Sequence, residues 1–254
     1  MIFDRNHRLV PCLDVRCGQT LAACAIPGLK DPWDPLEIAT LYGNHPSVGL
    51  LFLDIFDKQA EAHDQLPLVR RISAAIKAPM LVMVERGTIS SLDDIEPYLE
   101  AGAQYFILNN SAVERPEVVS EAVARYGSDR IAGGIAARWL SPGRWEHCIG
   151  VDRTGTGLDV IEWAQRLADL GASALVVTSV KQEGTGQGYE FELTRAVSEA
   201  VDIPVIASGG MSTIEHMGEG LRAGAQGLLV NAKLFQGKIS LAEAHAYLSQ
   251  YEEV

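Results

Sequence analysis

Ala101-Gly-Ala-Gln-Tyr-Phe-Ile-Leu-Asn109 and Ala223-Gly-Ala-Gln-Gly-Leu-Leu-Val-Asn231 are two versions of one segment. Each reads as the end of a helix, a turn at Ala-Gly-Ala, and an apolar strand that stops on an asparagine. A second matched strand lies upstream of each, Pro79-Met-Leu-Val82 and Pro204-Val-Ile-Ala207. The copies stand nearly half of the 254-residue chain apart, which points to two copies of one four-strand unit. Strand–helix pairs repeated in this way build a parallel sheet, and eight of them close it into a (β/α)8 TIM barrel. The expectation is therefore an α/β chain with a single barrel domain over residues 1–254 and an internal half-barrel duplication.

Eight apolar runs of strand length support this: 9–15, 49–55, 80–84, 105–108, 131–135, 174–180, 205–207 and 227–230. Helical periodicity lies between them at 65–76, 92–101, 116–126, 159–170, 192–200, 213–223 and 241–251. The strands are apolar without clean alternation, as expected when helices cover the outside and side chains fill the inside. Chemistry in such barrels collects where strands end and loops begin. Attention falls on Asp14, Asp54, Glu85, Asn109, Ala136, Ser179, Ser208 and Asn231. Two loops are long enough to carry function, Arg16–Asp34 and Trp139–Thr156. The second holds Trp145 and His147 between Gly143 and Gly150 and is compatible with a small hairpin.

A net charge of −12 argues against a nucleic-acid surface. It leaves room for a small anionic ligand, because backbone dipoles rather than net charge hold phosphates. Cys12, Cys17, Cys24 and Cys148 lack metal spacing, and Cys12 reads as a small core residue. His7, His45, His63, His147, His216 and His245 show no ligand spacing either and read mostly as surface residues. No metal and no cofactor is expected. No leader pattern is present and no apolar run approaches the ~18 residues of a membrane span, which points to a soluble, cytoplasmic protein.

Ile206-Ala-Ser208-Gly209-Gly210-Met-Ser212-Thr213 carries the strongest local chemistry. Paired glycines after a strand let backbone approach an anion, and a helix starting at Ser212 or Thr213 adds free amides and a positive dipole end. Asn231-Ala-Lys233 ends the neighbouring strand and adds a cation. The alternative is a glycine turn needed only for packing. Glu183-Gly184-Thr185-Gly186-Gln187-Gly188 extends the cradle with amides and the Thr185 hydroxyl, or is simply flexible. Asp14, between apolar neighbours at a barrel mouth, suits proton transfer by a carboxyl whose pKa burial raises. An aspartate accepting turn amides is the other reading. Asp54 occupies the matching place on the second strand.

Taken in order, Cys12-Leu-Asp14-Val-Arg16, Phe52-Leu-Asp54-Ile55, Asn109-Asn-Ser-Ala-Val113, Thr156-Gly-Leu-Asp-Val-Ile-Glu162, Gly184-Thr185 and Ile206-Ala-Ser-Gly-Gly210 resemble one family. It is the cyclase subunit of imidazole glycerol phosphate synthase, from histidine biosynthesis. The likeness runs from about Arg8 to the C-terminus. It implies a duplicated half-barrel and ammonia delivered by a glutaminase subunit docked at the barrel's bottom. The implied substrate is a bisphosphorylated aminoimidazole carboxamide ribonucleotide, cleaved and cyclised by an acid–base pair of aspartates ending strands one and five. Asp14 matches the first of these, and Ala136 stands where the second belongs. The family's phosphate turn after strand three is here Val84-Glu85-Arg86-Gly87-Thr88. A substrate-anchoring lysine falls on Ala22, and a phosphate-contacting serine falls on Lys233. Of the charged gate at the barrel's bottom Arg8 remains, while Gly49, Tyr105 and Ala174 replace the other members.

Three functions follow. The first is a lyase or cyclase with altered chemistry that keeps Asp14 and a phosphate site formed by Asp54, Asn109, Gly184, Thr185, Ser208, Gly209, Gly210, Asn231 and Lys233. The second is a non-catalytic phosphate-binding partner subunit. The third is the ordinary cyclase with a displaced acid.

Overall fold

The computed structural model describes residues 8–25, 29–46, 48–49, 51–56, 59–84, 89–150, 152–231 and 236–251. Its parallel strands are β1 (Leu9–Arg16), β3 (Leu51–Ile55), β4 (Met80–Val84), β5 (Tyr105–Leu108), β6 (Ile131–Ser141), β9 (Leu175–Ser179), β10 (Val205–Ser208) and β11 (Gly227–Val230). Each pairs with the next in this order, and β1 returns to β11 with Val10 opposite Leu229. Among the described residues the eight strands thus form a closed barrel. A short β2 (Gln19–Thr20) turns back on β1. The outer helices are α1 (Pro35–Gly43), α2 (Gln59–Ala62), α3 (Leu66–Ala75), α4 (Glu96–Glu100), α5 (Asn110–Glu114), α6 (Glu117–Tyr126), α7 (Val160–Asp169), α8 (Phe191–Ala200), α9 (Ile214–Arg222) and α10 (Leu241–Leu248). No helix among the described residues is long and apolar enough to cross a membrane.

The repeat is visible atom by atom. Gly102 and Gly224 both take positive φ, 105° and 101°, which an L side chain rarely adopts. A Cβ at Gly102 would lie 2.7 Å from the Ser73 Cβ, and one at Gly224 would lie 2.8 Å from the Ser198 Cβ. The two glutamines then do identical work. Gln104 Oε1 accepts the Met80 amide at 2.7 Å, and its own amide donates to the Met80 carbonyl at 3.0 Å. Gln226 Oε1 accepts the Val205 amide at 2.8 Å, and its amide donates to the Val205 carbonyl at 2.9 Å. Each glutamine finishes the ladder at the start of the preceding strand. Gln104→Ala and Gln226→Ala should therefore each cost about 1–2 kcal/mol, the scale of leaving a partly buried amide unpaired. Thermal unfolding of the two variants checks this. One large and one negligible effect would contradict the equivalence.

Two apolar layers hold the barrel. Val10, Cys12, Phe52, Leu81, Ile107, Val176 and Ile206 point inward and fill it, with half-buried Tyr105 packed against them. Leu9, Leu13, Leu53, Val82, Leu175 and Val205 point outward and meet helix residues such as Ile38, Val69, Val119, Leu167 and Val197. At about 25 cal/mol per Å², this double burial is the main stabilising term.

The hairpin expected in the long loop after the fifth barrel strand is present and larger than read. β6 runs on past the barrel to Ser141, turns, and pairs antiparallel with β7 (Arg144–Ile149), which pairs with β8 (Thr154–Asp159). Arg138 and Glu146 form an ion pair across it, and Glu146 Oε1 also accepts the Gly157 amide at 2.8 Å. Asp159 then caps α7, accepting from the amides of Ile161 at 2.8 Å and Glu162 at 3.2 Å.

Two expectations need correction. α9 begins at Ile214 rather than Ser212 or Thr213, with Thr213 as its cap residue. His147 is not at the surface: it has no solvent exposure, and the other described histidines are half-buried.

Candidate active site

Strand register places the carboxylates. Asp14 pairs with Asp54 between β1 and β3, and both side chains face the C-terminal mouth of the barrel. They line a cavity of about 100 Å³ with Asn109, Ala136, Thr178, Glu183, Ser208, Asn231 and Arg153. A second cavity of about 110 Å³ is bounded by Glu183, Gly184, Gly186, Ser208, Gly209, Gly210, Met211 and Asn231. Glu183, Ser208 and Asn231 belong to both walls, so the two spaces adjoin. A third cavity of about 200 Å³, more apolar, shares Asp14 and Asn231 and continues toward Ala22 and Gln236.

Asp14 accepts from the Cys12 thiol at 3.3 Å and from the Asn231 amide at 3.2 Å. These partners are side chains, not turn amides, so the carboxylate is oriented into the mouth rather than spent on a cap. Burial raises its pKa above the ordinary carboxylate value. The Cys12 hydrogen bond opposes the shift, and the negative charge of Glu183 adds to it. Cys12 is a core residue as expected, and its thiol also serves Asp14.

The glycine turn after β10 is demanded by sterics. Gly209 and Gly210 take φ of 96° and 90°. A Cβ at Gly209 would stand 2.7 Å from the Ser179 carbonyl oxygen, and one at Gly210 would stand 2.2 Å from that of Gly188. The Gly188 amide donates to the Gly210 carbonyl at 2.9 Å, and the Ser212 hydroxyl donates to the Gly186 carbonyl. Two bare backbone turns are thereby pressed together at a strand end, so packing alone already requires these glycines, and their open side borders the second cavity. Thr185 is turned to its own loop. Its hydroxyl donates to the Gln182 carbonyl at 2.8 Å and accepts the Gln187 amide at 3.2 Å, and it does not line the second cavity.

The structure thus brings together Asp14, Asp54, Asn109, Ser208 and Asn231 around one cavity, and Gly184, Ser208, Gly209, Gly210 and Asn231 around the next. Lys233 and Glu85 to Thr88 lie outside the described residues. Ala136 presents a methyl group to the first cavity from β6, opposite Thr178 of β9. Asn109 Oδ1 is buried beside it and makes no hydrogen bond among the described residues. A Cβ at Gly134 would lie 3.2 Å from the Asn109 Cβ, so this glycine leaves room for the amide.

Two contributors were not foreseen. Glu190 is buried and accepts from the Trp145 indole at 2.6 Å and from the Ser179 hydroxyl. The Gln182 amide donates to the same Ser179 oxygen at 3.2 Å. The hairpin, β9 and the loop after it are therefore tied through one carboxylate. Arg153, at the turn between β7 and β8, reaches Glu183 at 3.0 Å. The position of Trp145 between two glycines was the available signal for the first, and Arg153 offered none.

A family model described as "Histidine biosynthesis protein" matches residues 8–240, a span that takes in every strand of the barrel and all three cavities. The chain belongs to the histidine biosynthesis protein family.

Proposed function

We propose that this protein is a divergent relative of the imidazole glycerol phosphate synthase cyclase subunit. It holds a phosphorylated, aminoimidazole ribonucleotide-like ligand by its glycine turns and uses Asp14 for proton transfer in a lyase or cyclase reaction. One observation carries the reading. Asp14, a half-buried carboxyl whose pKa desolvation raises, opens onto the same Glu183–Ser208–Asn231 wall that bounds the glycine cavity. A phosphate seated against Gly184, Gly209 and Gly210 puts the rest of its ligand beside Asp14. Ser208 and Asn231 supply hydrogen bonds between the two, and Asp54 and Asn109 meet the polar groups further in. Burial raises the pKa of Asp14 above that of an exposed aspartate, the direction that suits a carboxyl acting in proton transfer. A glutaminase partner follows from the resemblance alone.

A second reading is favoured by Ala136. A methyl group moves no proton, and loss of one member of an acid–base pair costs about 10²–10⁴-fold where proton transfer limits the rate. On that reading the protein is a phosphate-binding partner subunit without turnover. The discriminating experiment supplies the purified protein with the bisphosphorylated aminoimidazole carboxamide ribonucleotide and ammonium salt. Binding is followed by calorimetry and release of the carboxamide product by absorbance. Ammonia-dependent turnover, slow but abolished by excess inorganic phosphate, is the expected outcome. Tight binding without turnover would establish the partner-subunit reading, and absence of binding would end both.

A further inference from the structure

Among the described residues that line the Asp14 cavity, three are carboxylates (Asp14, Asp54 and Glu183) and one is a cation, Arg153. An anionic ligand entering this mouth meets net negative charge, and the cation decides whether it stays. The geometry points to Arg153 as the ligand-binding cation of this site: its guanidinium, held by Glu183, is handed to the anionic group of a phosphorylated ligand. This rests on the glycine turns receiving a phosphate.

Arg153 is placed for the exchange. Its Nη2 lies 3.0 and 3.3 Å from the two Glu183 carboxylate oxygens. Glu183 in turn stands on the wall between the Asp14 cavity and the glycine cavity. The pair is partly exposed, at 28% and 50% of the side-chain surfaces, so the contact is weak enough to be exchanged. A guanidinium offers a planar fork that matches a phosphate as well as a carboxylate.

The backbone that carries Arg153 is not a loose loop. Its φ is 51°, a left-handed conformation uncommon for a residue with a side chain, and its amide donates to the Gly150 carbonyl at 3.2 Å. Two further ties bind the hairpin to the loop that carries Glu183. The Lys181 ammonium lies 4.6 Å from the centre of the Trp139 ring, and the Trp145 indole donates to Glu190. Hairpin and glycine loop are thus fixed to each other, and the Arg153 side chain is the part that has to turn.

Titration with inorganic phosphate at low ionic strength, read by calorimetry, tests the assignment. The parent, Arg153→Ala, Arg153→Lys and Glu183→Gln are compared after thermal unfolding confirms that all are folded. Arg153→Ala is expected to weaken phosphate about tenfold or more, the scale of one charge-assisted hydrogen bond. Arg153→Lys should recover part of the loss, because it restores charge without the fork. Glu183→Gln should tighten binding several-fold, since the competing carboxylate is gone, and the gain should shrink as salt screens the pair. Equal affinity in Arg153→Ala and the parent would overturn the role of Arg153 while leaving the glycine turns as the phosphate site. Weaker binding in Glu183→Gln would overturn the exchange. A parent that binds no phosphate would overturn this inference together with the reading beneath it.

Discussion

An Asp14→Asn variant is expected to bind phosphate like the parent and to lose turnover by about 10²–10⁴-fold, the usual contribution of a positioned acid–base group. The substitution is nearly isosteric. An amide oxygen still accepts from the Cys12 thiol or the Asn231 amide, which now meet Asp14 at 3.3 and 3.2 Å, so the mouth keeps its shape. What disappears is the proton. The same change has an opposite effect on stability. Burial raises the folded pKa of Asp14, so above its ordinary value the native protein retains a proton that the unfolded chain has shed. Stability from this group falls as pH rises through the raised pKa and remains lost above it. Asp14→Asn should therefore melt higher than the parent near neutral pH, at about 2–4 °C per kcal/mol gained for a chain of this size. The advantage should vanish below pH ~4, where both states carry a neutral group. Rate and melting temperature measured on the same preparations separate the cases. A variant that is inactive and less stable would mark Asp14 as a structural residue. One that is fully active would remove it from the mechanism.

The barrel was legible because its repeat is enforced by local geometry. Gly102 and Gly224 stand where no other residue adopts the required φ without strain, and Gln104 and Gln226 finish two ladders in the same way. The strand ends were legible for a related reason: a polar residue closing an apolar run has one place to go in a barrel, the mouth. α1 was not read, since its exposed Leu41 and buried Ile38, Ala39 and Tyr42 blur the helical period. Its signals were the Asp34 cap, which accepts from the Leu36 amide at 2.9 Å, and Pro35 in its first turn. The expected helix at 92–101 is split into a 3₁₀ turn at Leu92–Asp94 and α4, with Pro97 in the first turn of α4. Within the site, Asp14, Ser208 and the glycines could be read from their own neighbours. Arg153, Trp145 and Glu190 could not, because their roles depend on how the hairpin folds back onto β9. Pairing of Trp145 with Glu190 joins residues far apart in the chain, and no periodicity encodes it. His147 was misread for the same cause: polarity suggests surface, but β7 lays the residue against α7.

That histidine gives the second large effect. His147 is fully buried and its ring stacks on Trp163, with centroids 6.0 Å apart and planes 27° from parallel. Neither ring nitrogen makes a hydrogen bond among the described residues. Burial drives its pKa down to about 4. An unfolded chain titrates the same ring near 6.5. Between these values the unfolded state takes up a proton that the native state refuses, so stability is lost as pH falls through the window. The loss amounts to about 3 kcal/mol over the full range, a large share of the ~5–15 kcal/mol that holds a typical domain. Protonation of Asp14 partly offsets it at the acid end, since that group stabilises as it becomes neutral. His147→Phe keeps an aromatic ring against Trp163 and removes the titration. Urea unfolding from neutral pH to about pH 4.5 should show the parent losing stability steadily while this variant stays nearly flat. A smaller apolar replacement, His147→Leu, covers the case in which phenylalanine packs badly. Parallel curves for parent and both variants would show that the ring finds a proton acceptor in the native state. The site feels the same charge. His147 lies in β7 between the Trp145 that binds Glu190 and the Cys148 whose thiol donates to the Ala136 carbonyl at 3.3 Å. Forcing a proton onto it loosens the hairpin that carries Arg153. Phosphate affinity should therefore fall in acid before the barrel unfolds, and it should fall less in His147→Phe.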